Sequence, residues 1–484
     1  MKLQELLQGI AVPESNAPMD MEITGVSYSS NTVRTGELFV AVPGYATDGH
    51  RFIPDAVARG AAVVLCERDM PQEVPWVRVA SSREALAQLG VNWYGDPSKA
   101  MQVIGVTGTN GKTSVTYLLK TLLENACGAK VGLIGTICNM IGGQELETER
   151  TTPESFALQG LLAQMRDAGC THVVMEVSSH ALALHRVDGV RFSVGAFTNL
   201  TEDHLDFHKT MENYRQAKAR LFQLCESGVF NLDDKKTTPK MLAQARCKCY
   251  TVGTRPDAAL TAREITLGAD HISMTVCEGQ TEAFVRLGIP GRFTVSNALV
   301  ALGIARSLGI PLVQAAAALG KAKGIKGRLE VVPTPGRDFT VLIDYAHTPD
   351  GLENVLRSVR DFCKGRIILV FGCGGDRDRQ KRPIMGRLAA ELADFVIVTS
   401  DNPRTEKPMM IIEDILEGMA GTKTPYTVEE NRRLAIRTAL RCAKKDDIVL
   451  LAGKGHETYQ ILGTEKTHLD EREEVAAALC EMGK

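Results

Sequence analysis

Short apolar runs alternate with amphipathic stretches along almost the whole chain. Near the N-terminus GELFVAVPG (36–44) predicts a buried strand, FIPDAVARGAA (52–62) a helix and AAVVLCE (61–67) a second strand. The turn formers Tyr94-Gly95-Asp96-Pro97-Ser98 close this first unit, which spans 1–98. From 101 to about 325 the runs VIGVTG, KVGLIGT, HVVMEVSS and SVGAFTNL alternate with helical segments, which predicts a mostly parallel sheet with crossover helices. The Gly-, Lys- and Pro-rich stretch GKAKGIKGRLEVVPTPGRD reads as a hinge. Beyond it TVLIDYAH, RIILVFG, FVIVTSD and DIVLLAGKG predict another sheet. The expected fold class is therefore α/β in three domains: a small N-terminal unit (1–98), a central nucleotide-binding unit (99–328) and a C-terminal Rossmann-like unit (329–484). In open α/β sheets ligands bind at the carboxyl ends of the strands. Each of the last four runs ends in polar or glycine-rich residues, so functional groups are sought there.

Composition narrows the classes. A chain of 484 residues suits roughly three domains of ordinary size. Lys plus Arg is 56 against 58 Asp plus Glu, so the net charge of −2 lacks the basic excess expected of a nucleic-acid binder. No apolar run approaches the roughly 20 residues that span a bilayer. The first residues, MKLQELLQGIAVPESN, have no signal-peptide pattern, which leads to the expectation of a cytoplasmic protein. Twelve cysteines, with only Cys247 and Cys249 close together, fit neither a disulfide framework nor a zinc motif and read as buried free thiols.

The most specific signal follows the run MQVIGV. Thr107-Gly108-Thr109-Asn110-Gly111-Lys112-Thr113-Ser114 leads into a helix with Val115, Leu118, Leu119, Leu122 and Leu123 on one face. Glycines let backbone N–H groups close around phosphates, the helix start adds positive potential, a lysine reaches the β- and γ-phosphates, and a hydroxyl can ligate Mg²⁺. Val106 stands where the strict GxxxxGK[ST] pattern has its first glycine, and Gly108 appears inside the loop. Downstream lie Glu176, Ser178, His180, His185 and Arg186, then Asp203, His204, Asp206, His208 and Lys218. Four histidines between 180 and 208 raise the alternative of a zinc site from His180 and His185 or from His204 and His208. A phosphate loop favours hard oxygen ligands and Mg²⁺. Lys218 shares a helical pattern with Tyr214, Ala217 and Leu221, and that pattern alone assigns it no chemistry.

TGTNGKT, EVSSH, TNLTEDHLDFH, QAKARLF, SNALVA, GRLE, DYAHTPD and FGCGGDRD occur in this order, and the chain resembles the Mur ligase family over nearly its whole length. Asp401-Asn402-Pro403-Arg404 and Gly453-Lys454-Gly455-His456-Glu457 resemble the branch that adds the third residue of the peptidoglycan stem peptide. The resemblance implies an ATP-driven amide bond between the D-glutamyl γ-carboxylate of UDP-N-acetylmuramoyl-L-alanyl-D-glutamate and an amino group of meso-diaminopimelate. ATP would first convert the carboxylate to an acyl phosphate, which the amine then attacks. Such chemistry needs positioning and charge neutralisation rather than a protein nucleophile.

By the same resemblance Gly108, Thr109, Asn110, Gly111, Lys112, Thr113 and Ser114 hold the ATP phosphates, with Asn297, Arg328 and Asp344 as further ATP contacts. Thr113, Glu176, Lys218 and His204 gather around Mg²⁺, Lys218 as the carbamate that a lysine forms with CO₂. Lys112, Lys218, Glu176 and His204 form the implied catalytic set. The UDP-linked substrate is expected at Ser30, Tyr45, Ala46, Thr47, Thr151, Thr152, Ser178 and Arg186. Two positions depart from the family pattern: Arg150, where relatives often carry Asn, and Leu184, where some carry Gln. Diaminopimelate is expected at Arg377, Asp401, Asn402, Pro403, Arg404, Gly453 and Glu457. Lysine lacks the distal carboxylate of diaminopimelate, so Arg404 and Arg377 favour diaminopimelate over the lysine-adding version of the reaction. The resemblance implies a role in cytoplasmic peptidoglycan synthesis, hence in cell wall biogenesis, cell shape and cell division. It implies small-molecule substrates and a monomer. A folylpolyglutamate synthase would share the phosphate loop but lack DNPR, and a GTP-binding switch would show Asn-Lys-x-Asp, which is absent.

Overall fold

The computed structural model describes residues 1–44, 47–68, 74–148 and 150–482. In the first domain five strands lie in the order Glu14–Ser15, Trp76–Arg78, Val63–Cys66, Leu38–Val40, Val26–Ser27, parallel except for the first. All four residues of Val63–Cys66 are buried, as a strand covered on both faces requires. Helix Ser82–Tyr94 begins where the Ser81 side chain accepts from Glu84 N and ends at Gly95, whose φ of 72° suits a residue without Cβ.

The central sheet has eleven strands. Its middle is parallel, in the order Leu260–Leu267, Lys248–Gly253, Cys225–Asn231, Phe192–Phe197, Gln102–Thr107, His172–Glu176, Val131–Ile134. From Gln102–Thr107 the chain moves outward to Val131–Ile134, returns through His172–Glu176, then crosses to Phe192–Phe197 on the other side. The strand order thus reverses between Gln102–Thr107 and Phe192–Phe197, and a crevice opens at their carboxyl ends. Both edges depart from the parallel expectation. Asn139–Ile141 with Gln144–Leu146, and Ile272–Glu278 with Thr281–Leu287, are antiparallel hairpins. The cause is local: Gly142 and Gly279, with φ of 61° and 57°, close two-residue turns.

The C-terminal sheet runs Glu330–Val332, Thr340–Asp344, Ile448–Ala452, Ile367–Phe371, Phe395–Val398, Tyr426–Val428, parallel except at the first pair. Helix Pro349–Arg360 buries Leu352, Val355, Leu356 and Val359 against it, a spacing that puts all four on one helical face. Each such side chain contributes roughly 1.5–3 kcal/mol on burial. A fully buried ion pair, Arg432 to Glu471 at 2.8 Å, joins two helices to the end of Ile448–Ala452 through Arg432 Nη2 and Ala452 O (2.9 Å).

All twelve cysteines are free. The expectation that they are buried holds only for Cys66, Cys138, Cys170 and Cys373, because most of the others lie at strand or helix ends where one side meets solvent. Among the described residues no helix is long and apolar enough to cross a membrane.

Candidate active site

The crevice at the strand reversal holds the glycine-rich loop. Thr109 N donates to Asn199 O (2.9 Å), Asn110 N to Asn199 Oδ1 (3.0 Å), and Thr198 Oγ1 to Asn110 O (2.6 Å). A Cβ on Gly108 would overlap Thr198 Oγ1, and one on Gly111 (φ 86°) would fall on the Asn297 amide. Both positions therefore require glycine. Thr198 and Asn199, which hold the loop's shape, open the TNLTEDHLDFH motif, which by itself assigns them no role.

Two lysines converge on one carbonyl. Lys112 Nζ donates to Gly108 O (2.9 Å) and Thr109 O (2.8 Å), and Lys218 Nζ donates to the same Gly108 O (2.8 Å). Lys218 is 1 % exposed and lies over the Tyr214 ring at 4.5 Å. Burial, reinforced by the Lys112 charge, holds its amine well below the ordinary lysine range, with Asp203 opposing. Burial also lowers Lys112, against Glu176 and Asp203. Asp203 thus faces both lysines, a proximity the sequence did not reveal.

Glu176 ends its strand with 1 % exposure. Its carboxylate accepts from Thr113 Oγ1 (3.0 Å), Thr136 N (2.9 Å) and Thr136 Oγ1 (3.1 Å). Thr136 in turn meets Thr151 Oγ1 at 3.0 Å, while Thr152 Oγ1 bonds Glu176 O (2.9 Å) and receives Ser178 N (3.1 Å). Thr113, Glu176, Thr151, Thr152 and Ser178 thus form one connected hydroxyl and carboxylate patch. Ser114 follows on the first turn of helix Lys112–Cys127.

His204 has a left-handed backbone (φ 53°), lies 3.4 Å from Asp203, and packs edge-on to His180 at 4.8 Å. Burial keeps both rings below the usual histidine range. His208 is pulled down to about 4 by burial and bonds Ser179 Oγ at 2.9 Å. His185 points elsewhere, to Asp188 at 2.6 Å. Among the described residues no group of three or more His, Cys, Asp or Glu is arranged to hold a metal ion.

The C-terminal domain closes on the loop from the other side. Asn110 Nδ2 and Thr201 Oγ1 both donate to Asp350 Oδ2, at 2.9 and 3.1 Å. Arg328 reaches Thr113 Oγ1 at 3.5 Å and lies over the Tyr345 ring at 5.2 Å, and its buried Nε has no hydrogen-bond partner among the described residues. Asp344 accepts from Leu329 N and Ala346 N; burial raises it, with Arg328 opposing.

A second patch lies at the carboxyl ends of the C-terminal strands. Gly453 N donates to Asp344 O (3.0 Å), and a Cβ on Gly453 would press on the Asp401 carboxylate. Asn402 Nδ2 donates to Glu457 Oε2 (2.9 Å), and Asn402 and Pro403 are buried. Arg404 (φ 53°) donates from Nη1 to Gly375 O (2.8 Å), and its side chain and that of Arg377 both flank Gly374. Arg377 itself is exposed.

In the first domain Ser30 and Thr47 follow the adjacent parallel strands Val26–Ser27 and Leu38–Val40, while Tyr45 and Ala46 lie outside the described residues. Arg186 pairs with Glu154 at 3.2 Å and bonds Thr152 O at 3.4 Å. Arg150 stands 3.8 Å from the same Glu154. Arg83, which the sequence reading passed over, bonds Pro43 O (2.7 Å) and Leu184 O (3.5 Å) and approaches Glu154 at 3.8 Å. It ties the Pro43 side of the first domain to the central domain.

Three family models match the chain: Mur ligase family, catalytic domain over 22–94; Mur ligase middle domain over 106–305; and Mur ligase, glutamate ligase domain over 327–455. A UDP-N-acetylmuramoyl-L-alanyl-D-glutamate–2,6-diaminopimelate ligase of Clostridium tetani is 45% identical over 489 residues, covering 100% of both chains. The enzyme of the same name from Caldanaerobacter subterraneus subsp. tengcongensis is 47% identical over 487 residues, again covering 100% of both. A solved structure of a ligase of that name superposes with a TM-score of 0.73 at 32% identity, over 100% of this chain and 99% of the other. A MurF ligase from Thermotoga maritima in complex with ADP shares the fold, with a TM-score of 0.62 at 19% identity over 94% of this chain and 97% of that one.

Proposed function

The chain belongs to the Mur ligase family, and from that membership we propose that it is the ATP-dependent, ADP-forming ligase that joins meso-diaminopimelate to UDP-N-acetylmuramoyl-L-alanyl-D-glutamate. The reaction serves peptidoglycan precursor synthesis in the cytoplasm. The observation that carries this reading is the convergence of Lys112 and Lys218 on the Gly108 carbonyl, beside the Thr113 to Glu176 bond.

The donor set suits ATP and Mg²⁺. Gly108 and Gly111 leave backbone space that any Cβ would fill, Arg328, whose Nε has no partner among the described residues, reaches Thr113, and Thr113 with Glu176 offers hard oxygens. Thr113, Glu176, carbamylated Lys218 and His204 would hold Mg²⁺, which supplies charge neutralisation for the transferred phosphoryl group. Lys218 is suited to carbamylation because only the neutral amine attacks CO₂, and burial shifts this amine towards that form. A new N–C bond forms, one proton leaves, and the neutral amine becomes an anionic carbamate.

Lys112 moves from the loop carbonyls to the β- and γ-phosphates. The D-glutamyl γ-carboxylate oxygen forms a bond to the γ-phosphorus as the bond to ADP breaks. The neutral amine of diaminopimelate then attacks the acyl carbon, phosphate departs with its bridging oxygen, and the amine loses a proton. Thr151, Thr152, Ser178 and Arg186 orient the UDP-linked acid, with Ser30 and the Tyr45-Ala46-Thr47 loop at its nucleotide end. Arg404 and Arg377 take the distal carboxylate of diaminopimelate, and Asp401, Asn402, Gly453 and Glu457 line the rest of its pocket. Asn297, Arg328 and Asp344 close over ATP.

The test is phosphate release from ATP with each substrate omitted in turn. Release that requires both the UDP-linked acid and the amine is expected; release from ATP alone would indicate a motor or switch and end the proposal.

A further inference from the structure

Lys454 is fully buried beside the amino-acid pocket, between two residues assigned to diaminopimelate. Its Nζ donates to Asn402 Oδ1 (3.1 Å) and Glu457 Oε2 (3.0 Å) and lies 5.6 Å from the centre of the Tyr459 ring. Asn402 completes a closed triangle, since its Nδ2 donates to the same Glu457 Oε2 at 2.9 Å. Its Oδ1 also accepts from Ile461 N at 3.0 Å, which ties the triangle to strand Tyr459–Leu462.

One oxygen of Glu457 is therefore held by two donors, while Oε1 has no partner among the described residues. A carboxylate gripped on one side presents its other oxygen in a fixed direction. Glu457 keeps 14% of its side-chain surface exposed, so that oxygen is within reach of a ligand.

We propose that Lys454 is a positioning residue for the incoming amino acid: with Asn402 it locks Glu457 so that Oε1 receives an ammonium group of the substrate. This rests on the ligase reading above. A group gripped by a carboxylate stays protonated, and a protonated amine cannot attack an acyl phosphate. The ammonium at Glu457 is therefore the one that does not react, at the same distal centre whose carboxylate goes to Arg404. Glu457 reads the distal ammonium and Arg404 the distal carboxylate.

A double-mutant cycle tests this with wild type, Lys454→Met, Glu457→Gln and the double variant, with KM measured for each of the three substrates. Lys454→Met should raise KM for diaminopimelate about tenfold or more and leave KM for ATP and for the UDP-linked acid within about twofold. In the Glu457→Gln background the same change should add less than about threefold. Equal increases in all three KM values, or a full effect in the Glu457→Gln background, would overturn the proposal. Should Lys454→Met not fold, Lys454→Arg keeps the cation but shifts its donors. It should raise KM for diaminopimelate alone, and a matching rise in KM for ATP counts against the role. A wild type without diaminopimelate-dependent turnover removes the ligase reading itself, whereas a normal wild type with an unchanged variant removes only the role of Lys454.

Discussion

Arg404→Ala isolates the contact proposed to separate diaminopimelate from lysine. One donor group of Arg404 is already committed, Nη1 to Gly375 O at 2.8 Å, which fixes the plane of the guanidinium. Nη2 and Nε make no hydrogen bond to the protein among the described residues. Two charge-assisted bonds to the distal carboxylate are then available, at about 1.5–3 kcal/mol each. Their loss corresponds to about 3–6 kcal/mol, or roughly 10²- to 10⁴-fold in kcat/KM for diaminopimelate. L-Lysine carries no carboxylate there, so its weak turnover should change by less than about threefold. The assay is phosphate release from ATP with saturating UDP-N-acetylmuramoyl-L-alanyl-D-glutamate and varied amine. A wild type that accepts lysine as well as diaminopimelate, or a variant that keeps its preference for diaminopimelate, refutes the reasoning while leaving the ligase chemistry intact.

Lys112→Ala removes the lysine that bonds both loop carbonyls, Gly108 O and Thr109 O, and should reduce ligation by at least about 10³-fold with the fold retained by circular dichroism. Wild type incubated with ¹³C-bicarbonate should show a carbamate carbon resonance that Lys218→Ala lacks. Protonation blocks CO₂ uptake, so the signal falls as pH falls, but burial moves that loss below the pH where an ordinary lysine would stop reacting. Unlabelled wild type at pH 8, or full activity of Lys218→Ala without added short-chain carboxylate, removes the carbamate from the mechanism. Arg83→Met breaks the bonds to Pro43 O and Leu184 O and should raise KM for the UDP-linked acid about tenfold while KM for diaminopimelate stays constant. Arg432→Met leaves Glu471 as an unpaired buried carboxylate and should cost about 3–5 kcal/mol in urea denaturation, largely recovered when Glu471→Leu is added.

Much of this architecture is legible in the sequence because strand ends and chemistry coincide. TVLIDYAH, RIILVFG, FVIVTSD and DIVLLAGKG fold as Thr340–Asp344, Ile367–Phe371, Phe395–Val398 and Ile448–Ala452, four neighbouring parallel strands whose tails carry Asp344, Arg377, Arg404 and Glu457. Parallel strands buried on both faces read as continuous apolar runs, and their loops all emerge on one side. The antiparallel edge was not legible, since Thr281–Leu287 is largely exposed and, like the neighbouring Leu260–Leu267, breaks its apolar positions with charged ones. Contacts between domains were equally hidden. Asp350 with Asn110 lies 240 positions apart and Arg83 with Leu184 101, and no periodicity within a segment reports such pairs.

The shared Gly108 carbonyl explains why burial of Lys218 suits the proposed chemistry. Both Nζ atoms lie within 2.9 Å of one oxygen. At a separation of roughly 5 Å two full positive charges would repel by about 3 kcal/mol in an effective dielectric near 20. The fold eases this by lowering the proton affinity of Lys218, through burial first and the Lys112 charge second. In this arrangement the two lysines share Gly108 O, and Lys112 stays folded onto the loop through Thr109 O as well. Carbamylation would put a negative charge at Lys218: its donating Nζ end becomes an accepting carboxylate, and the new anion attracts cations to the loop. The same modification would thus create a divalent-cation ligand and change the field in which Lys112 moves to the nucleotide. An uncharged, similarly shaped side chain such as that of Lys218→Met supplies neither effect. Nucleotide affinity and phosphoryl transfer should therefore fall together in that variant and recover together when a carboxylate fills the vacated space, whereas recovery of binding without turnover would separate the two roles.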